Sequence, residues 1–435
     1  MVRAFFLCGL IAASAFAESP VSFRGEIAPL LQRRCAACHG EESSKGKYRL
    51  DTFARLRQPG ESALPTLTPG KPEESEIYNL IVEPSANDRM PQKADALPGE
   101  EIALIERWIR EGAVFDGGEA ERPIVELARE SLLRAAPEVY PRPMPVTALA
   151  FSPDGSQLAV SGYFEVTIWN LEDGALVRRI GGMPERISSL AWGKLLAVAG
   201  GSPAQWGGIA LVDPAAGGRY LCDLPETALC VAFSPDGRLL AGAGGDRTIR
   251  FFEIPGGKPT RIIRQHADWV QTVAFSPDGK LLLSASRDRT ARLFNVASGE
   301  LEGTYSGHGA PLLGAVFLDD QSIVSLARGR SLHVWDVEKR EKRGDFKELA
   351  CELNQIACSP LGLLSAGADH RVRVHSPGDR REMFALIGHD DVVQTLAVAP
   401  SGELFASGSA DGTVCVWSLA CGTWVQRFVA SPLRR

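Results

Sequence analysis

Past about residue 143 the chain changes character: short runs rich in β-branched residues alternate with turn signals, the pattern of half-buried strands. Upstream the pattern is helical and irregular. Ile27, Leu30 and Leu31 recur at helical spacing just before Cys35. Loop signals then crowd the stretch from Gly40 to Leu97: Gly46, Pro59-Gly60, Pro65, Pro69-Gly70 and Pro72. Within it a short helix is predicted near Glu73, with Ile77, Leu80 and Ile81 on one side. A second helix is predicted from about Pro98 to Glu111. Glu100 and Glu101 lie in its first turn, Gly112 follows its end, and Ile102, Ile105, Trp108 and Ile109 form one apolar face. Residues 119–143 read as a connector, a charged amphipathic stretch ending in Pro141-Arg142-Pro143.

At the very start, Arg3 precedes a short apolar run from Phe5 to Ala15, and Ala15-Phe16-Ala17 has the small-x-small form of a signal-peptidase site. Residues 1–17 are therefore expected to be a cleaved export signal, leaving a periplasmic or otherwise exported protein. An uncleaved anchor is the rival, although the run is short for a bilayer. Lipidation at Cys8 is disfavoured, because Leu7 stands where a small residue is wanted.

In the second part, Phe151-Ser152-Pro153-Asp154-Gly155 recurs at Phe233–Gly237 and Phe275–Gly279, with weaker copies at Cys358–Gly362 and Val398–Gly402. An aromatic or equivalent position follows each unit, at Trp169, Val212, Phe252, Phe294, Trp335, His375 and Trp417, spaced 40 to 43 residues apart. That period suits four-stranded propeller blades. Trp335-Asp336, Gly307-His308 and Gly388-His389 make residues 146–429 resemble the WD-repeat family. The resemblance implies a structural hydrogen-bond tetrad at His389, Ser407, Asp411 and Trp417. A second copy would use His266, Ser284 and Asp288, with Phe294 in place of tryptophan. The unit at 187–213 departs most, having no Ser-Pro-Asp-Gly turn and a Gly-rich insertion near 200–208. The expected fold is a small, mostly α domain at 18–118, a linker at 119–143, and an all-β seven-bladed propeller at 144–435.

Composition changes little. At 435 residues more than one domain is expected, and 45% hydrophobic with 23% charged residues is ordinary for globular chains. A net charge of −6 argues against nucleic acid as the main partner.

The chemistry concentrates in Cys35-Ala36-Ala37-Cys38-His39. Two thiols separated by two residues can each add to a vinyl group of one porphyrin, and the adjacent imidazole can then ligate its iron. A redox dithiol would call for a thioredoxin-like context. Zinc would need further ligands, and Cys38 and His39 are the only Cys or His between residues 36 and 221. For the second axial position the choice is narrow, since Met90 is the only Met between residues 18 and 143. The alternatives are five-coordinate iron or Lys93.

Phe23–Leu31, the Cys-x-x-Cys-His motif with Gly40, Lys45–Asp51, Pro69–Ser75, Arg89-Met90-Pro91 and Ile105–Ala113 together resemble the planctomycete-type cytochrome c domain. Gln92 departs from the family, in which a second proline is common. The resemblance implies one covalent haem c, with thioethers at Cys35 and Cys38 and with His39 and Met90 as axial ligands. Trp108 is expected to be a core aromatic beside the haem.

The propeller shows no nucleophile-base grouping, phosphate loop or acidic metal cage in its sequence. Its cysteines fall in three close pairs, Cys222/Cys230, Cys351/Cys358 and Cys415/Cys421, and at least one disulfide is expected, against a rival reading of buried free thiols. Two functions follow. One is a single-electron carrier whose propeller docks a redox partner protein. The other is an oxidoreductase whose propeller holds a substrate or second cofactor and whose haem takes the electrons. The first is preferred, so the chain is read as an electron-transfer and interaction protein rather than a stand-alone enzyme.

Overall fold

The computed structural model describes residues 19–40, 44–92, 94–203, 205–346 and 349–431. The expected export signal at 1–17 and the alternative ligand Lys93 lie outside these residues. The chain divides into two compact units, Met1–Ala128 and Arg129–Arg435.

In the first unit a turn of π-helix at Phe23–Ile27 leads into α1 (Ala28–Arg34), which enters through Pro29. α2 (Ala36–His39) is a single turn. It is followed by α3 (Phe53–Leu56), capped by the Thr52 hydroxyl, and by α4 (Glu76–Val82), which a 3-10 turn at Pro72–Glu74 introduces. The longest helix is α5 (Gly99–Arg110), and α6 (Ile124–Leu132) begins in this unit. The expected helices are present, with the one near Glu73 beginning as the tighter turn.

Phe23, Ile27, Leu31, Phe53, Leu56, Trp108 and Ile109 form one buried core. Phe53 stacks on Phe115 at 4.3 Å and meets Phe23 edge-on at 5.0 Å. Trp108 donates its indole N–H to the Val114 carbonyl, which satisfies the one polar atom the side chain brings into the core. Arg33 and Arg34, at the end of α1, both bond Glu101 in the first turn of α5.

The second unit corrects the expectation of seven four-stranded blades. Five four-stranded antiparallel sheets form blades, spanning 228–263, 270–306, 312–345, 353–387 and 393–429. The strands between 149 and 224 instead form one seven-stranded sheet: β1 (Leu149–Phe151), β2 (Gln157–Ser161), β3 (Tyr163–Asn170), β4 (Leu176–Trp192), β5 (Leu196–Ser202), β6 (Trp206–Asp213) and β7 (Gly217–Leu224). The cause is β4. Its 17 residues pair with β3 through the first half and with β5 through the second, so no chain break separates two repeat units.

All four strands of the last blade come from the C-terminal end of the chain, and the outermost, Trp424–Val429, pairs with Thr413–Ser418. Closure onto the first sheet is made by packing of Val146, Leu149 and Trp169 against Ala406, Val414 and Val416. Trp169 stacks on Phe428 at 4.6 Å, and the Val146 N–H donates to the Ser409 carbonyl. The segment before β1 is fastened to the sheet as well. Arg179 pairs with the buried Glu165 at 2.7 Å and donates to the Pro137 and Glu138 carbonyls, while the Tyr140 hydroxyl donates to Glu165.

Within the blades, fully buried serines collect the polar atoms. Ser407 Oγ lies 2.7 Å from His389 Nε2 and accepts from Trp417 Nε1 at 2.8 Å. Asp411 stands off at 3.8 Å, and it is Thr413 that meets His389 Nδ1, at 2.8 Å. In the earlier copy His266 bonds both Ser284 and Asp288. Burial pulls the imidazoles of His308, His375 and His389 down to about 4. The unfolded chain protonates near pH 6.5 and therefore takes up protons first as the pH falls. Propeller stability is expected to fall between about pH 6.5 and 4, each imidazole adding at most about 1.4 kcal/mol per pH unit. Denaturant melts across that range check this, and a flat profile would contradict it.

Candidate functional site

A cavity of about 340 Å3 opens in the first unit, and Cys35, Cys38, His39 and Met90 all line it. The four sequence-predicted site residues are thus brought to one place from two distant stretches of chain. Cys35 closes α1, and α2 carries Cys38 and His39 in the next turn. Across the cavity, the Met90 N–H donates to the Leu80 carbonyl at 2.9 Å, which ties its loop to the apolar side of α4. Leu50, Ile77, Leu80, Ile81 and Leu97 supply apolar wall. The volume falls within the range of about 300–1,000 Å3 usual for small-molecule sites.

His39 is held by its surroundings. Its Nδ1 lies 3.4 Å from the Tyr48 carbonyl, and the Tyr48 ring meets the imidazole edge-on at 5.3 Å. With the Nδ1 proton directed at that carbonyl, the lone pair sits on Nε2. Burial lowers its pKa, opposed by the backbone acceptors of Tyr48 and Lys45, so the neutral, ligating form is favoured. The Tyr48 hydroxyl in turn donates to the Leu56 carbonyl, anchoring the ring to α3. Sequence reasoning named His39 but missed Tyr48, because a backbone carbonyl carries no residue signature. Burial pushes the Cys35 thiol up to about 12, which keeps it protonated at neutral pH. Trp108 belongs to the core as expected but is not among the residues that line the cavity.

The residues fit a porphyrin better than a simple metal ion. Among the described residues no group of three or more His, Cys, Asp or Glu side chains is placed to hold a metal ion. Two thiols, one imidazole and one thioether around an apolar cavity match the donor set of a covalently attached haem.

In the propeller the histidines have structural partners. His308 bonds Ser325 and Ser331, and His333 stacks on it at 3.7 Å. His375 stands at the tryptophan position of its blade and bonds Ser365 at 2.8 Å, as Trp417 bonds Ser407. The expected disulfides are not formed, since all eight described cysteines are unbridged. The register gives the reason for one pair: Cys415 faces Arg427 across the ladder, while Cys421 sits exposed in the turn beyond. Cys230 is buried in the second sheet, whereas Cys222 belongs to β7 of the first.

Comparison with known proteins gives two family matches. The family described as Planctomycete cytochrome C matches residues 35–93, a span that includes Cys35, Cys38, His39 and Met90. The family described as WD domain, G-beta repeat matches 140–170, 225–253, 257–295 and 380–418. Among individual proteins, the nuclear distribution protein PAC1 of Coccidioides posadasii is 30% identical over 301 residues, 63% of this chain and 57% of that protein. Telomerase protein component 1 of Rattus norvegicus is 28% identical over 204 residues, 44% of this chain and 8% of that protein. Ribosome biogenesis protein YTM1 of Meyerozyma guilliermondii is 30% identical over 122 residues, 26% of this chain and 27% of that protein. The matches thus span less than two thirds of the length of these relatives. The chain is similar to a cytochrome family in its first unit and to WD repeats in its second.

Thiol reactivity distinguishes these sites. Hydroxyls of Ser418 and Thr423 and the Thr423 N–H draw the exposed Cys421 thiol down to about 7. In protein without haem at pH 7.5, iodoacetamide is expected to label Cys421 first and to leave the buried Cys230 and Cys415 unlabelled until unfolding. Peptide mass spectrometry checks the order, and equal rates at all eight positions would contradict it.

Proposed function

We propose that the chain is an exported, mono-haem c-type cytochrome that passes single electrons to a partner protein, with the propeller as its docking platform. The convergence of Cys35, Cys38, His39 and Met90 on one apolar cavity carries the reading. Cys35 and Cys38 would add their S–H bonds across two vinyl groups, with no atom lost and no oxidant required. His39 Nε2 and Met90 Sδ would hold the iron. A haem bound there would supply a one-electron couple, whose potential a thioether donor would raise relative to a second imidazole.

The remaining work falls to the chain itself. Tyr48 orients His39, and the hydrogen bond to Leu80 holds Met90 in place. Leu50, Ile77, Leu80, Ile81 and Leu97 would give a bound porphyrin an apolar surface to pack against. Export is supported by the pattern of residues 1–17, because thioether attachment of this kind takes place outside the cytoplasm. Among the described residues no helix is long and apolar enough to cross a membrane. The propeller as platform is supported by the WD-repeat matches and by the absence of a catalytic grouping in its sequence.

Reduced-minus-oxidised spectra of protein exported with a haem-attachment system test the reading. The intact chain is expected to retain one haem after denaturation and acid-acetone extraction. Met90→Ala should keep the haem but lose the methionine-to-iron band and fall in potential. Cys35→Ser with Cys38→Ser should lose covalent attachment. An intact chain without covalent haem would overturn the proposal, and unchanged ligand bands in Met90→Ala would remove Met90 from it.

A further inference from the structure

The hairpin turns between the second and third strands of two neighbouring blades carry an unusual charge. In the blade at 270–306 this turn is Arg287-Asp288-Arg289, and in the blade at 312–345 it is Arg328-Gly329-Arg330. Antiparallel pairing places both turns at the same end of the propeller, and the two sheets pack side by side. All four arginines are exposed, and none forms an ion pair among the described residues. Arg287 lies over the Trp269 ring, with its guanidinium carbon 4.7 Å from the ring centre.

Two carboxylates beside the first turn are already engaged, while Glu352 stands exposed in the connection that follows the second blade. Asp288 is held well below the usual range: burial acts to raise it, but bonds from His266 and Thr290 prevail. Asp268 accepts from the Trp269 N–H. The connection at 307–311, which runs between the two turns, contains no carboxylate. At the opposite end of these blades the turns carry both signs, with Asp278, Asp319 and Asp320 beside Lys280, Lys339 and Arg340. In a chain of net charge −6 the two arginine turns are by contrast net positive.

We propose that this arginine sector is the docking surface for an acidic protein segment whose Asp and Glu side chains are bound by the four guanidinium forks. The inference rests on the reading of the propeller as a docking platform and names the chemistry of its partner. Arginine rather than lysine favours planar, bidentate pairing with carboxylates. Four charges confined to two turns suit a short acidic segment better than nucleic acid, which is usually held through many successive phosphates. The Trp269 face is also covered by Arg287 and offers no stacking platform for a base.

The test uses the full-length haem-loaded protein and a fluorescein-labelled oligoglutamate peptide, followed by anisotropy at low salt. Binding should weaken by about tenfold or more in Arg287→Glu with Arg328→Glu, since truncating close charge pairs is costly. Arg287→Lys with Arg328→Lys should fall between, because the charge remains but the fork is lost. Lys280→Glu, at the opposite end, should match the parent, and circular dichroism of each variant should show an unchanged fold. Equal losses in the Lys280 variant, or tighter binding of a DNA oligomer of similar charge than of the peptide, would overturn the proposal. So would self-association that disappears in the reversed variant. If a protein cross-linked to the parent is still captured by Arg287→Glu with Arg328→Glu, this proposal fails while the docking-platform reading stands.

Discussion

The propeller depends on a small set of hydroxyl groups that have no access to water. Ser284, Ser325, Ser365 and Ser407 are fully buried on the second strands of their blades. Left without a partner, each would cost about 1–3 kcal/mol. Each is satisfied by an aromatic nitrogen that arrives from elsewhere: His266, His308 and His389 from the connections between blades, and Trp335, His375 and Trp417 from the third strand. The bond therefore sets where a connection crosses from one blade to the next. That in turn fixes which turns emerge side by side at the ends, the arginine turns included.

The same interaction shows how far the sequence could be read. The resemblance to WD repeats implied the blades' internal bonds in advance, and Ser407 bonds Trp417 and His389 as it implied. The share of Asp411 was misjudged, because the choice between its carboxylate and the Thr413 hydroxyl turns on an ångström of backbone placement. His375 was seen at an aromatic position without its role, since only three-dimensional register shows that it replaces an indole against Ser365. The cysteine pairs failed for a related reason. Closeness in sequence says nothing about faces, and in a ladder of period two Cys415 has its neighbour at Arg427.

The first unit was more legible because its chemistry is written in rare residues. A single histidine and a single methionine over more than a hundred residues leave little to choose, and both line the cavity with the two thiols. What sequence could not supply was the support: the Tyr48 carbonyl behind His39, the hydrogen bond from Met90 to Leu80, and the paired arginines on Glu101 that hold α1 against the start of α5. These are backbone atoms and surface charges, and nothing in residue type marks them as part of a site.

The long strand β4 was the least foreseeable element: it contains Gly181-Gly182 and Pro184, and residues 182–185 pair with neither neighbouring strand. Pairing nevertheless resumes at Arg186, which faces both Tyr163 and Gly201. Elsewhere around the ring, neighbouring sheets are joined by chain outside the ladders, as at 225–227, 264–269, 307–311 and 388–392. Added residues there would displace no strand pairing, but at 264–269, 307–311 and 388–392 they would move the histidines that bond the buried serines. Within β4 the joint is made by residues 182–185, which pair with neither β3 nor β5. The joints that carry a histidine differ from it, because there the length of the connection is set by a side chain as well as by the strands it links.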